Sequence, residues 1–169
     1  MINQRIILAS ASPRRRELLT RMELDFSVTA SNISEEIQPG LSCEEQSMLL
    51  ASSKAQHVAE SNPDALVIGA DTIVVLDGRI YGKPENEEDA RATLRMLSGK
   101  KHEVITGVCL VGKNAGVFEK FCQKTDVYFR TLNDELINWY IKTKEPFDKA
   151  GSYAIQGKGC LLAEKIHGD

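Results

Sequence analysis

Ala65-Leu66-Val67-Ile68-Gly69-Ala70-Asp71-Thr72-Ile73-Val74-Val75-Leu76 carries one charge among twelve residues. Its Val and Ile content, with apolar residues on both alternating faces, predicts a strand buried on both sides of a sheet. Asp77-Gly78 then reads as a two-residue hairpin turn, with the chain returning through Arg79, Ile80 and Tyr81. That turn sets Leu76 opposite Arg79, Val75 opposite Ile80, Val74 opposite Tyr81, Ile73 opposite Gly82 and Thr72 opposite Lys83. Lys83 is thereby expected beside the Asp71–Thr72 step, before Pro84 ends the strand. Asp71 is the anomaly. An unpaired carboxylate in such a strand is costly to bury. A sheet-edge or turn-capping aspartate suits this position poorly, and a metal ion or a catalytic task accounts for it better.

Upstream, a short strand over residues 5–9 leads into a helix from Pro13 to about Met22, and a strand follows around residues 26–29. Ser12 suits the N-cap and Pro13 the first helical position. The capping-box position falls on Arg15, so no carboxylate neutralises the helix end. Backbone N–H groups, the positive end of the helix dipole and the guanidinium groups of Arg14 and Arg15 then converge on a site suited to phosphate. Arg14 precedes Leu18 by one turn and Arg15 precedes Leu19, so both are expected to lean to the packed side, with Arg16 left to solvent. The bland alternative is a capped surface helix with a basic first turn.

A long helix is expected over residues 42–60, opened by a Ser42/Glu45 capping box. Downstream come a helix capped by Asn86 and ended at Ser98-Gly99, strands near 103–111 and 117–129, and a helix capped by Asn133. The last segment is glycine-rich. Strands alternating with helices, plus hairpin-like pairs, predict an α/β fold with a mixed sheet.

The chain has 169 residues, 42% apolar and 27% charged, enough for one domain with its own core. A net charge of −3 gives no reason to expect nucleic acid or an anionic membrane as partner. No signal peptide or membrane-length apolar run is seen, and the four cysteines form no CxxC pair, so a reduced cytoplasm is expected. The phosphate-loop pattern GxxxxGK[ST] is absent. Glu35-Glu36, in a loop before Pro39-Gly40, offers oxygen ligands for a hard cation, although loop acids are more often solvated. Lys54, mid-helix, reads equally well as a site residue or a solvated one, and His102 as a structural histidine or a catalytic one. Gln156 lies where Gly151 and Gly157 permit close backbone approach to a ligand.

Five segments together resemble the Maf family of nucleotide pyrophosphatases across essentially the whole chain. They are Leu8-Ala9-Ser10-Ala11-Ser12-Pro13-Arg14-Arg15, Gly69-Ala70-Asp71-Thr72, Gly82-Lys83-Pro84, residues 98–102 with 106–108, and residues 149–157. The resemblance implies an elongated mixed α/β sheet flanked by helices with a central cleft, akin to the inosine-triphosphate pyrophosphatases. The whole chain would be a single such domain, two lobes around the cleft, commonly a homodimer. It implies Mg²⁺- or Mn²⁺-dependent hydrolysis between the α- and β-phosphates of a nucleoside triphosphate.

Ala70-Asp71-Thr72 and Ile155-Gln156-Gly157 are similar to the branch acting on dTTP and UTP. By that match Asp71 takes the proton-acceptor position, and Arg14, Thr72 and Gln156 the specificity positions. Ser10, Arg15, Glu35, Lys54 and Lys83 match positions for phosphate or metal, with Glu36 the alternative acid. Relatives continue past a stretch like His167-Gly168-Asp169, so a C-terminal tail is expected to be missing. On this reading Asp71, with Glu35 or Glu36, holds the metal, and Asp71 also orients or deprotonates the attacking water. Two other readings stand beside it: a non-catalytic nucleotide-binding regulator of cell division, and a pyrophosphatase directed at purine or modified nucleotides.

Overall fold

The computed structural model describes residues 4–169. In chain order these form β1 (Ile6–Leu8), α1 (Pro13–Arg21), β2 (Phe26–Val28), α2 (Cys43–Glu60), β3 (Leu66–Leu76), β4 (Arg79–Tyr81) and α3 (Glu87–Leu97). Then come β5 (Lys101–Gly112), β6 (Val117–Phe129), α4 (Asp134–Lys142), three short 3-10 turns (Glu145–Asp148, Ala150–Ser152, Lys158–Leu162) and β7 (Ala163–His167). The seven-stranded sheet has the order β2-β1-β3-β5-β6-β7, with β4 on β3. It is mixed, as expected: β1 runs parallel to β2 and β3, whereas β3–β4 and β6–β7 are antiparallel.

The hairpin closes on Asp77 and Gly78, both at positive φ (51° and 75°), the backbone that matches strand twist in a two-residue turn. The expected register holds at Leu76–Arg79, Val75–Ile80 and Val74–Tyr81. It stops there. β4 ends at Tyr81, so the expected pairs Ile73–Gly82 and Thr72–Lys83 are not part of the ladder, and the Gly82 carbonyl accepts from the Gly151 N–H (3.0 Å).

The chain divides into two compact units, Met1–Asp71 with Thr106–Cys122, and Thr72–Ile105 with Gln123–Asp169. In the first, α2 opens with the expected capping box: Ser42 accepts from the Glu45 N–H and Glu45 from the Ser42 N–H. Its small-residue face lies hard against β3 and β5. A Cβ added at Gly69 would meet the Ala51 carbonyl at 2.3 Å, and one at Gly107 the Ser47 carbonyl at 2.3 Å. Ala51, Ala55, Val58, Val67 and Cys109 fill the core between them. By contrast α1 buries no residue, and Leu18 is exposed rather than packed, which corrects the expectation for that face.

In the second unit Val74, Leu94, Phe129, Ile137, Tyr140 and Leu162 are among the core residues. Asn86 caps α3 by accepting from Glu88 and Asp89, and Asn133 caps α4 by accepting from Leu136, both as the sequence predicts. β7 is an addition. Its Glu164, Lys165 and His167 are exposed, so no apolar alternation marks it; main-chain pairing to β6 holds it, and charge guards the edge. His102 proves structural: it is buried, shares a 2.7 Å hydrogen bond through Nε2 with Tyr153, and meets Phe129 edge-on. Burial pushes its pKa down to about 4, leaving a neutral ring. Among the described residues no helix is long and apolar enough to cross a membrane.

Candidate active site

α1 opens where its sequence suggests, with Ser12 at the N-cap and Pro13 at the first helical position. Ser12 has the extended backbone of an N-cap, but its side chain makes no capping bond. Instead the Ser12 N–H donates to the buried Ser10 hydroxyl (3.2 Å). The same oxygen accepts from Arg15 Nη1 (3.0 Å), which also donates to the Ala70 carbonyl (2.7 Å). A first-turn guanidinium is thus tied to the strand residue just before Asp71. No acidic residue occupies that turn. Burial pulls the Arg15 pKa below its ordinary value, Asp71 opposes the shift, and Arg14 adds to it; the guanidinium stays charged. Arg14 is half-buried and Arg16 exposed, as expected of each. A shallow pocket of about 400 Å³, lined by Ser10, Ser12 and Arg16 among others, opens beside this helix end.

Lys54 decides the rest. It is 7% exposed, and its ammonium donates to Asp71 Oδ1 while lying 2.8 Å from Glu35 Oε1. Asp71, 6% exposed, is therefore buried as the strand pattern demands, and it is partnered. Burial raises its pKa above the ordinary carboxylate value; Lys54 and Arg15 pull it down, and Glu35 adds to the rise. Of the two loop acids, Glu35 reaches the cluster, whereas Glu36 accepts from the Ser34 hydroxyl (3.2 Å). Gln46, which sequence reasoning passed over, fixes that loop: it donates to the Glu36 carbonyl (3.0 Å) and accepts from the Gln38 N–H (2.9 Å). No local sequence pattern marks Gln46, whose burial at the start of α2 is a property of the fold.

Ser10, Arg15, Glu35, Lys54 and Asp71 accordingly form one connected cluster within the first unit. Thr72, Lys83 and Gln156 belong to the second. There Thr72 is half-buried in β3, Lys83 is exposed beyond the end of β4, and Gln156 is exposed in the turn before the last 3-10 segment.

The donor set can be tested against a divalent cation. Two carboxylates already converge on one ammonium, and among the described residues no group of three or more His, Cys, Asp or Glu forms a protein-only cage. Mg²⁺, which keeps several waters and takes phosphate oxygens, needs no more than one or two carboxylates, so the residues fit it.

Residues 5–169 match the family model for Maf-like proteins. The chain belongs to the Maf family. A relative in Bacillus velezensis, named dTTP/UTP pyrophosphatase, is 49% identical over 168 residues, spanning 99% of this chain and 88% of that protein. Another of the same name, in Caldicellulosiruptor bescii, is 50% identical over 170 residues, spanning 98% and 85%. Among solved structures, the Ham1 protein of Staphylococcus aureus aligns with a TM-score of 0.51 over 75% of this chain and 72% of that one. At 15% identity this is a likeness of fold, and it agrees with the Maf-like α/β architecture expected from the sequence.

Proposed function

We propose that the protein hydrolyses the pyrimidine triphosphates dTTP and UTP to monophosphate and pyrophosphate, as cytoplasmic nucleotide housecleaning by a single-domain enzyme that pairs as a homodimer. The observation that carries the chemistry is the buried Asp71 held by Lys54 beside the Arg15–Ser10 helix mouth. A fold does not bury acid and base together without a task or a strong pairing. The identity of about half to relatives named for dTTP and UTP supports the substrate.

In this reading the α1 mouth binds phosphate through Ser10, Arg14 and Arg15, with Lys83 a further phosphate ligand. Asp71 accepts a proton from the water that attacks the α-phosphorus, the α–β bridging bond breaks, and pyrophosphate departs. Lys54 keeps Asp71 ionised and, with the arginines, offsets the charge that builds on the leaving group; most of the rate comes from positioning and electrostatics. Asp71 and Glu35 would hold Mg²⁺ or Mn²⁺, which supplies neutralisation of phosphate oxygens when bound. Uracil and thymine present acceptor, donor and acceptor along one edge. Gln156, with one acceptor and two donors, pairs with it, Thr72 adds a bond, and cytosine leaves these groups unsatisfied.

The test is pyrophosphate release from a panel of common triphosphates and methylated GTP in Mg²⁺. The expected result is fastest release from dTTP and UTP. Inertness towards every substrate would turn the assignment to a nucleotide-binding regulator, and a purine preference would remove the role given to Gln156.

A further inference from the structure

Gln156 can read a base edge only if the turn that carries it is held still, and the second unit holds that turn from both sides. Before it, the Ala154 N–H donates to the hydroxyl of Tyr140 (3.2 Å), a residue fully buried in α4. After it, the Lys158 N–H donates to Glu145 Oε2 (3.1 Å) and the Gly159 N–H to Glu145 Oε1 (3.1 Å). The two anchors are joined, because the Tyr140 hydroxyl donates to Glu145 Oε1 (2.9 Å). Only Ile155, Gln156 and Gly157 lie between them.

The fit leaves no slack. Gly157 has φ 92° and ψ −148°, a backbone essentially confined to glycine, and a Cβ there would lie 3.0 Å from Glu145 Oε2. A Cβ at Gly159 would lie 2.0 Å from the Ala154 carbonyl. The Glu145 backbone is itself fixed: its N–H donates to Thr143 Oγ1 (3.2 Å), and its neighbour Lys144 is ion-paired to Glu87 (2.6 Å). Nothing in the nucleotide chemistry assigned above uses Glu145.

We propose that Glu145, acting with Tyr140, is the positioning residue for pyrimidine selection, setting the amide of Gln156 through the backbone of residues 154–159. This rests on Gln156 reading the base. Three donors converge on one side chain, which suits an acceptor-only carboxylate; an amide would turn an N–H towards a backbone N–H. A near-isosteric change therefore breaks the clamp while sparing the volume.

The experiment measures kcat and KM for UTP and CTP in wild type, E145Q, Q156A and the double variant. Glu145→Gln should raise KM for UTP about tenfold, the scale of one charge-assisted hydrogen bond, with a much smaller change in kcat. It should narrow the UTP-over-CTP ratio in the same direction as Gln156→Ala, and the double variant should be no worse than Gln156→Ala alone. A merely structural role would lower the active fraction equally for both substrates. An unchanged ratio in E145Q alongside a changed one in Q156A overturns the positioning role alone. An unchanged ratio in Q156A overturns the base-reading role, and the positioning role falls with it. Should E145Q not fold, Tyr140→Phe removes the hydroxyl at the other anchor: a smaller narrowing of the ratio supports the clamp, and an unmoved ratio overturns it.

Discussion

Each unit buries a pair of titratable side chains, and the two pairs are treated in opposite ways. In the second unit His102 and Tyr153 share one hydrogen bond among aromatic rings, and burial has discharged the imidazole, with its pKa at about 4. In the first unit Lys54 and Asp71 are as deeply covered, yet Glu35 and Arg15 crowd in with further charge. Burial raises the Asp71 pKa against the pull of both cations, so its ionised form is held at a cost. A neutral buried pair is architecture. A charged one whose burial opposes its ionisation points to a role other than stability.

Asp71→Asn attacks that contrast most directly. Turnover should fall by about 10³-fold, the range lost with a general base. Because the folded pKa lies above the unfolded one, the stabilising contribution of Asp71 is full below the unfolded value and is lost as pH rises through the folded value. The asparagine variant should therefore melt no lower than wild type at pH 8. Wild-type turnover, or a collapse of the melting temperature, would erase the distinction between the pairs.

Lys54→Met should cost about 10²-fold in kcat/KM, the scale of losing one electrostatic donor. It also removes the largest downward pull on the Asp71 pKa, so the acidic limb of the pH–rate profile should move to higher pH. A limb that stays in place would mean that another group titrates there.

His102→Gln marks the opposite end, with turnover at pH 8 unchanged. Here the folded pKa is depressed, so its stabilising contribution is full above pH 6.5 and is lost as pH falls towards 4. That contribution amounts to about 3 kcal/mol in wild type. Urea unfolding at pH 7.5 and pH 5 should show the decline in wild type and a flatter response in the variant.

Much of this was legible in the chain because the signals were local. The Asp77-Gly78 turn set three rungs of the ladder, Ser42 with Glu45 opened α2, and an acid inside an apolar strand marked Asp71. What escaped depends on distant partners. Ser12 takes the N-cap position without a side-chain capping bond, and its N–H donates to the Ser10 hydroxyl. The ladder ends at Tyr81, and the Gly82 carbonyl beyond it accepts from Gly151, far along the chain. Lys54 sits among Ser, Ala and Gln residues that blur the helical stripe, and its burial is set by close backbone approach. Choosing Glu35 over Glu36 needs a loop conformation that no periodicity records.

The bare backbone at residues 69 and 107 has a wider consequence. It lets α2 settle almost onto the strands, and Lys54 rides on that helix one turn past Ala51, reaching an acid two residues beyond Gly69. A single methyl group at residue 69 would work like a shim under a lever, prising ammonium from carboxylate while every ionisable residue stayed in the chain. Sensitivity to substitution should therefore extend to atoms that never meet a nucleotide, and a map of inactivating changes would include residues with no side chain to lose.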